Sequence, residues 1–513
     1  MAKVRRNFIT NVFLNISIFR IVYLCTLFFG SLCFTEVFAN GVKYVLLIWG
    51  FILIYYYYIK PIRYLEIMYA RWLIGFIGVS LVTSVLHLAD NFLQNIVLLC
   101  HVIICFFILY GMHTERNKRR KKREFYITSV IIFLVTTVVM IISLISLFWG
   151  EQNIKFFLSN YHMVIYENRF TGIFTNPNLL AFYGVVAVFF AHILSKSELY
   201  NECGIKKILP NWFLIICVVI NIVGIFLSDS NGSLLLLACY VIGYFIYIFF
   251  GCIKSINIKK IFFGAGMVVI ATIIVVGALI GLRICSNKVV SMALSAGNAE
   301  SQSQVVDPAP NGVPKPEVVL DKNNDKMGVV TFAHENENLD SGRLALLQQA
   351  TYIFYNNPIL GVGKENIVLY GEKLLDKGLK YSDLHNGYLT ILVSNGLVGF
   401  IIFIGFAVSL CRHCVKSIFF EERNLKKSPF VCLFAFIFAY CIYAVIEKTL
   451  LLEHTYMVVI FWYVLGYASC YMKKYDHIDD KFDFKVLFNK NIDIEDENID
   501  IIDKPTEIAV EYN

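Results

Sequence analysis

Residues 383–400 read DLHNGYLTILVSNGLVGF: Asp383, His385 and Asn386 stand at the head of an apolar run that continues to about 411. A helix needs roughly 20 such residues to cross about 30 Å of hydrocarbon, and this run supplies them. The stretch is therefore the mouth of a membrane helix, and it raises the question of why a titratable imidazole stands there.

The pattern recurs along the chain. Of 513 residues, 58% are hydrophobic and 16% charged, and the mean hydropathy is +0.65, outside the range of soluble domains. Twelve stretches pass the length test, with cores near 18–38, 42–59, 72–88, 92–112, 126–149, 178–195, 210–228, 233–251, 261–282, 387–411, 429–446 and 455–471. The first is not a cleavable signal, because no small-residue cleavage site follows it and further spans come directly after. The expected fold is an all-α polytopic membrane protein of about twelve transmembrane helices. Helices one to four fall in 1–125, five to nine in 126–282 and the last three in 387–471. A large loop occupies 283–386, and a charged, acidic tail runs from 472 to 513.

Lys and Arg near span ends stay cytoplasmic. The segments MAKVRR, KPIRYLEIMYAR (60–71), TERNKRRKKR (114–123), KSELYNECGIKK (196–207), IKSINIKK (253–260), RNLKK and MKKYD all fall on one side. The expected placement is the cytoplasmic membrane with both termini inside. The net charge of +7 is then mostly an orientation signal and no sign of nucleic acid, since a basic loop beside a span usually reflects topology or anionic lipid. Nearly all of the 14 cysteines lie in spans or on the basic side, so no disulfide framework is indicated. CRHC (411–414) lacks the second pair that tetrahedral zinc requires.

On the outer side three loops matter: 150–177, the tight SDSNGS turn (228–233) and 283–386. Within the last, 291–340 is Ser/Ala/Asn/Pro/Glu-rich without periodicity and reads as a disordered insert. Asp340 and Ser341 can cap GRLALLQQATYIFYNN, in which Leu344, Leu347, Ala350 and Phe354 recur at helical spacing; Pro358, Gly361 and Gly363 end it. This is expected to be an amphipathic helix lying on the outer surface of the spans.

Polar groups at membrane-helix ends are costly and tend to be kept for a use. Arg169, Asn176, Asn178, Asn231, Arg343, Lys364, His385 and Asn386 are the outer candidates. Arginine suits multidentate phosphate contact, and an imidazole can take a proton from an attacking hydroxyl. Together they fit group transfer from a diphosphate-activated donor. The alternatives are a snorkelling Arg169, a solvated Arg343 and an interfacial His385 bonded to the outer loop. Arg343 opens its helix, the wrong end for a dipole benefit, which favours placement by a ligand.

RFTGIFTNPN, SGRLALLQQATYIFYNNPILGVGKEN and HNGYLTILVSNGLVGF, in that order, resemble the O-antigen ligase and polymerase superfamily over about 165–405. These are bacterial membrane glycosyltransferases acting on polyprenyl-diphosphate-linked glycans. The resemblance implies a C-type-glycosyltransferase-like fold and an inverting, metal-independent transfer without cofactor. It also implies His385 as base on the acceptor hydroxyl and Arg343 on the donor diphosphate. The donor, a glycan or lipid-linked acceptor and the bilayer are the implied partners, with a flippase and a chain-length regulator as candidates. The chain departs from the family at Asn231, where an Arg is expected; Arg169 or Lys364 could substitute.

A lipid-linked oligosaccharide flippase or polysaccharide transporter is the alternative from another class. It would want charges within spans and Gly/Pro-broken helices, whereas the spans read as free of charge. A base drawn from Glu36 or Asp90 is a third reading, though neither stands in a paired acidic motif. Polymerase and ligase are not separable from the sequence. An Ile-, Asn-, Lys-, Phe- and Tyr-rich composition hints at an AT-rich genome and at capsule or exopolysaccharide synthesis.

Overall fold

The computed structural model describes residues 12–472 except 62, 116, 148–151, 157–158, 167–168, 202–203, 205, 252–265, 267–268, 271, 274–276, 279–280, 283, 285–342, 376–378, 380–382 and 421–427. The helix expected at 261–282 lies mostly outside these residues. So do the insert at 291–340, the caps Asp340 and Ser341, and the tail from 473 onward.

Apolar runs in lipid must satisfy every backbone group internally, so the chain coils into helices. In order they are α1 Ile16–Phe29, α2 Glu36–Ile54, α3 Ala70–Leu86, α4 Phe92–Ile104, α5 Lys118–Ser146, α6 Pro177–Leu194, α7 Asn211–Leu227 and α8 Asn231–Gly251. Beyond the large loop follow α9 Arg343–Asn356, α10 Ile367–Leu374, α11 Gly387–Phe420, α12 Phe430–Tyr443 and α13 Tyr456–Ser469. Sequence-local caps fix several starts. Asn15 accepts from the Ser17 amide at 3.0 Å, and Asn176, followed by Pro177, accepts from the Asn178 amide at 2.7 Å.

The result is a predominantly helical, multi-pass membrane protein. Among the described residues five helices are long and apolar enough to cross a membrane, and six further apolar helices are shorter, at 10–17 residues. The 150–177 loop also holds structure that hydropathy did not indicate. It forms a three-stranded antiparallel sheet of β1 Gln152–Phe156, β2 Ser159–Tyr166 and β3 Arg169–Gly172.

Two expectations need correction. The first span is not free of charge: Arg20 of α1 is fully buried, donates from Nε to the Ile108 carbonyl at 2.8 Å, and pairs with Glu124 at 3.2 Å and Glu115 at 2.6 Å. A buried guanidinium persists when carboxylates and a carbonyl occupy its donors. On α9 the expected Ala350 and Phe354 do pack, together with Leu346 and Ile353, while Leu344 and Leu347 are 56% and 47% exposed. The stripe is set by a separate apolar cluster of Val362, Ile367, Leu384 and Val393, which draws in the adjacent helical face.

α11 is broken at Gly396, whose backbone takes φ 63° and ψ −170°. A break strands amides and carbonyls that lipid cannot satisfy. Residues 358–363 insert there and supply the partners. Val362 and Gly363 donate to the Val393 and Ser394 carbonyls at 3.1 and 2.8 Å, while Leu397 and Val398 donate to the Pro358 and Ile359 carbonyls at 2.8 and 3.2 Å. A β-carbon at Gly396 would stand 2.3 Å from the Ile359 backbone. Gly396→Ala is therefore expected to cost about 2 kcal/mol or more, read as a lowered thermal midpoint in detergent. Gly78→Ala, with nothing within 4 Å of the added carbon, should leave the midpoint unchanged or higher.

Candidate functional site

The inserted segment continues into a clamp on the ends of α3 and α4. Thr83 donates to the Leu360 carbonyl at 2.6 Å, Asn91 donates to the Glu365 carbonyl at 2.9 Å, and the Glu365 amide donates to Asn95 at 3.1 Å. Tyr370 and Lys373 of α10 bond Asp90 at 3.3 and 3.0 Å. Asp90, a candidate base on sequence grounds, is thus a strut of this clamp, and Lys373 holds its carboxyl below the usual carboxylate range.

On the other side, the first amide of α11 donates to the next helix connection: Gly387 reaches the Ala444 and Glu447 carbonyls at 2.8 and 3.1 Å. The turn 444–455 between α12 and α13 is thereby stitched to the mouth of α11. Asn386 caps that helix by accepting from the Leu389 amide at 2.9 Å.

His385 sits at this junction with φ 44°, a left-handed backbone that a non-glycine residue adopts only under constraint. Asp383 provides it by accepting the His385 amide at 3.0 Å, a local turn typical of aspartate. The imidazole, with its side chain 35% exposed, lies between two carboxylates: Nε2 is 3.4 Å from Asp383 and Nδ1 is 3.7 Å from Glu447. The pairs continue outward. Lys448 meets Asp383 at 2.7 Å and Glu453 at 3.5 Å, and Lys364 meets Glu453 at 2.8 Å.

Three carboxylates thus face two lysines along one chain of ion pairs, and a protonated imidazole would balance the set. The Glu447 carboxylate raises the His385 pKa above its ordinary value against the pull of burial, with Asp383 adding to the rise and Lys448 opposing it. Burial works against ionisation of Asp383, yet Lys448 holds that carboxyl below its usual range.

The remaining candidates gather at the turn 228–233. Arg169 is only 7% exposed; its Nε donates to the Ser228 carbonyl at 3.0 Å and one terminal nitrogen donates to Asn178 at 2.6 Å. Asn176 is the cap of α6, and Asn231 is exposed at the start of α8. This turn adjoins the His385 junction, since a β-carbon on Gly232 would meet Tyr443 at 3.2 Å and a Glu447 carboxylate oxygen at 4.0 Å. Arg343 is exposed at the start of α9, with its charge felt at Tyr443.

Residues 216–404 match the family model described as O-Antigen ligase. Over that stretch, less than half of its length, the chain is similar to the O-antigen ligase family. No curated protein matches the chain. The matched stretch runs from within α7 into α11 and contains Asn231, Arg343, Lys364, His385 and Asn386. Arg169, Asn176, Asn178, Glu447, Lys448 and Glu453 lie outside it. Asp383 was noted in the sequence only as the head of the apolar run, and Glu447, Lys448 and Glu453 were not singled out. The signal for the last three was EKTLLLEHT (447–455), a charged turn between two apolar runs.

Arg169→Lys should lower the thermal midpoint, because a lysine cannot reach both the Ser228 carbonyl and Asn178; the loss of one buried charged hydrogen bond is about 2 kcal/mol. An unchanged midpoint would show that Arg169 does not tie the turn to α6.

Proposed function

We propose that the protein is a membrane glycosyltransferase that polymerises or ligates polyprenyl-diphosphate-linked glycan units on the outer face of the cytoplasmic membrane. Capsule, exopolysaccharide or O-antigen-type polymers are the products in this reading. The basic loops support the orientation, and the family match supports the class of reaction. The observation that carries the reading is the imidazole of His385, partly open to solvent and held between two carboxylates within the matched domain.

His385 takes the proton of the acceptor hydroxyl, and the oxygen attacks the anomeric carbon of the donor. The bond from that carbon to the phosphate oxygen breaks, and polyprenyl diphosphate leaves with the electron pair. A single displacement inverts the anomeric centre. Arg343 offsets the charge growing on the leaving diphosphate, the contribution that usually dominates such catalysis. That charge is met by guanidinium in place of a metal. Arg169, committed to Ser228 and Asn178, acts by fixing the turn that bears Asn231; Lys364 acts through Glu453. A flippase that delivers the lipid-linked unit and a regulator of chain length would be natural partners.

The transporter alternative gains one observation, the break at Gly396, but that break is filled by residues 358–363 and α11 carries no charge near it. The base reading also fixes the sign of a pH effect. A base must be neutral, so transfer rises with pH through the His385 pKa, which lies above the ordinary value of about 6.5.

His385→Ala is expected to abolish polymer while membrane protein level stays normal, and Arg343→Ala to lower transfer on the order of 100-fold. Unimpaired polymer with His385→Ala would overturn the mechanism. Lipid-linked glycan in a strain lacking the protein sorts the classes: single units outside indicate a polymerase, long chains a ligase, and units trapped inside a flippase.

A further inference from the structure

Two carboxylates flank the imidazole of His385, and they are not equivalent. Asp383 is already committed: one oxygen accepts the His385 amide at 3.0 Å, and the other meets the Lys448 ammonium at 2.7 Å. Its work is to hold the left-handed backbone and to anchor the lysine. Glu447 differs. Among the described residues its carboxylate forms no ion pair with a lysine or arginine, and its side chain is 12% exposed. A carboxylate so shielded interacts strongly with a nearby charge.

The backbone aims it. The Glu447 carbonyl accepts the Gly387 amide at 3.1 Å and the Thr449 amide at 3.0 Å, while the Glu447 amide donates to the Tyr443 carbonyl at 3.1 Å. The residue is thus bonded into the end of α12 and to a backbone amide two residues beyond His385. Gly232 of the neighbouring turn closes in beside the carboxylate, where a β-carbon would stand 4.0 Å from it.

We propose that Glu447 is the positioning residue of the site, holding the Nδ1 edge of His385 and carrying the counter-charge for the imidazolium formed when Nε2 takes the acceptor's proton. The inference rests on the reading of His385 as the base. The proton passes from the hydroxyl to Nε2, the imidazolium is stabilised by Glu447, and the proton returns to water through the open part of the ring. The groups facing the ring are Asp383 from its own segment and Glu447 and Lys448 from the 444–455 turn. Glu453 and Lys364 stand one ion pair further along, and Arg343 lies near Tyr443.

The test uses the full chain in native membranes and diethyl pyrocarbonate, which modifies an imidazole only in its neutral form. The modification rate of the His385 peptide is followed across pH by mass spectrometry. The wild-type midpoint is expected above about 6.5, and Glu447→Gln should lower it by about one unit, with Glu447→Asp in between. A wild-type midpoint at or below the ordinary value, or one that Glu447→Gln leaves in place, overturns the proposal. In glycan transfer, Glu447→Gln should lose on the order of 100-fold in kcat with KM little changed, and Glu447→Asp should recover part of it. Full transfer in Glu447→Gln beside none in His385→Gln refutes the role of Glu447 and leaves the base standing. Full transfer in both refutes the base itself.

Discussion

Hydrocarbon leaves no backbone amide or carbonyl unpaired without a cost of several kcal/mol, and the break at Gly396 turns that constraint into architecture. Because α11 cannot continue through a glycine at φ 63°, a second piece of chain has to enter and complete its ladder. Residues 358–363 do so, and the same segment is bonded to Thr83 and leads into the clamp at Asn91 and Asn95. Lys364 is carried to the site by this route. The first half of α11 becomes a short, separately docked helix whose leading amide is tied to the carbonyls of residues 444 and 447. The position of His385 follows from those two attachments.

Electrostatics then decides what the junction can do. The positive end of a helix favours anions nearby, and Asp383 and Glu447 stand there with the imidazole between them. Alternation of acid and base along Glu447, His385, Asp383, Lys448, Glu453 and Lys364 lets each carboxylate but Glu447 meet a lysine. That leaves one negative charge for the ring. A site of this kind favours imidazolium when a proton arrives, which is the demand placed on a general base during transfer to a sugar hydroxyl.

Much of this was legible in the sequence, and the omissions have physical causes. Hydropathy places helices well because the bilayer imposes one length scale, so Gly387 and Pro177 open helices close to where the apolar runs begin. Six of the described apolar helices run only 10–17 residues, so hydropathy locates them more firmly than it bounds them. The amphipathic helix at Arg343 was expected, and Ala350 and Phe354 of its expected face pack, but Leu346 and Ile353 replace Leu344 and Leu347, since periodicity gives a stripe without naming the neighbour that selects it. His385 was visible from local sequence and Glu447 was not, because their meeting depends on a hydrogen bond between segments some sixty residues apart. Arg169 was legible as a polar group at a span end, whereas its hydrogen bonds to the Ser228 carbonyl and to Asn178 were not, since they join segments distant in sequence.

The most direct measurement is a cryo-electron microscopy structure of the full chain in a nanodisc with polyprenyl diphosphate bound. The expected result is diphosphate density against the Arg343 guanidinium, on the side that faces the imidazole of His385, with Glu447 still on the opposite edge of the ring. Density against Lys373 and the α3–α4 clamp, or a diphosphate remote from His385, would contradict catalysis at this junction.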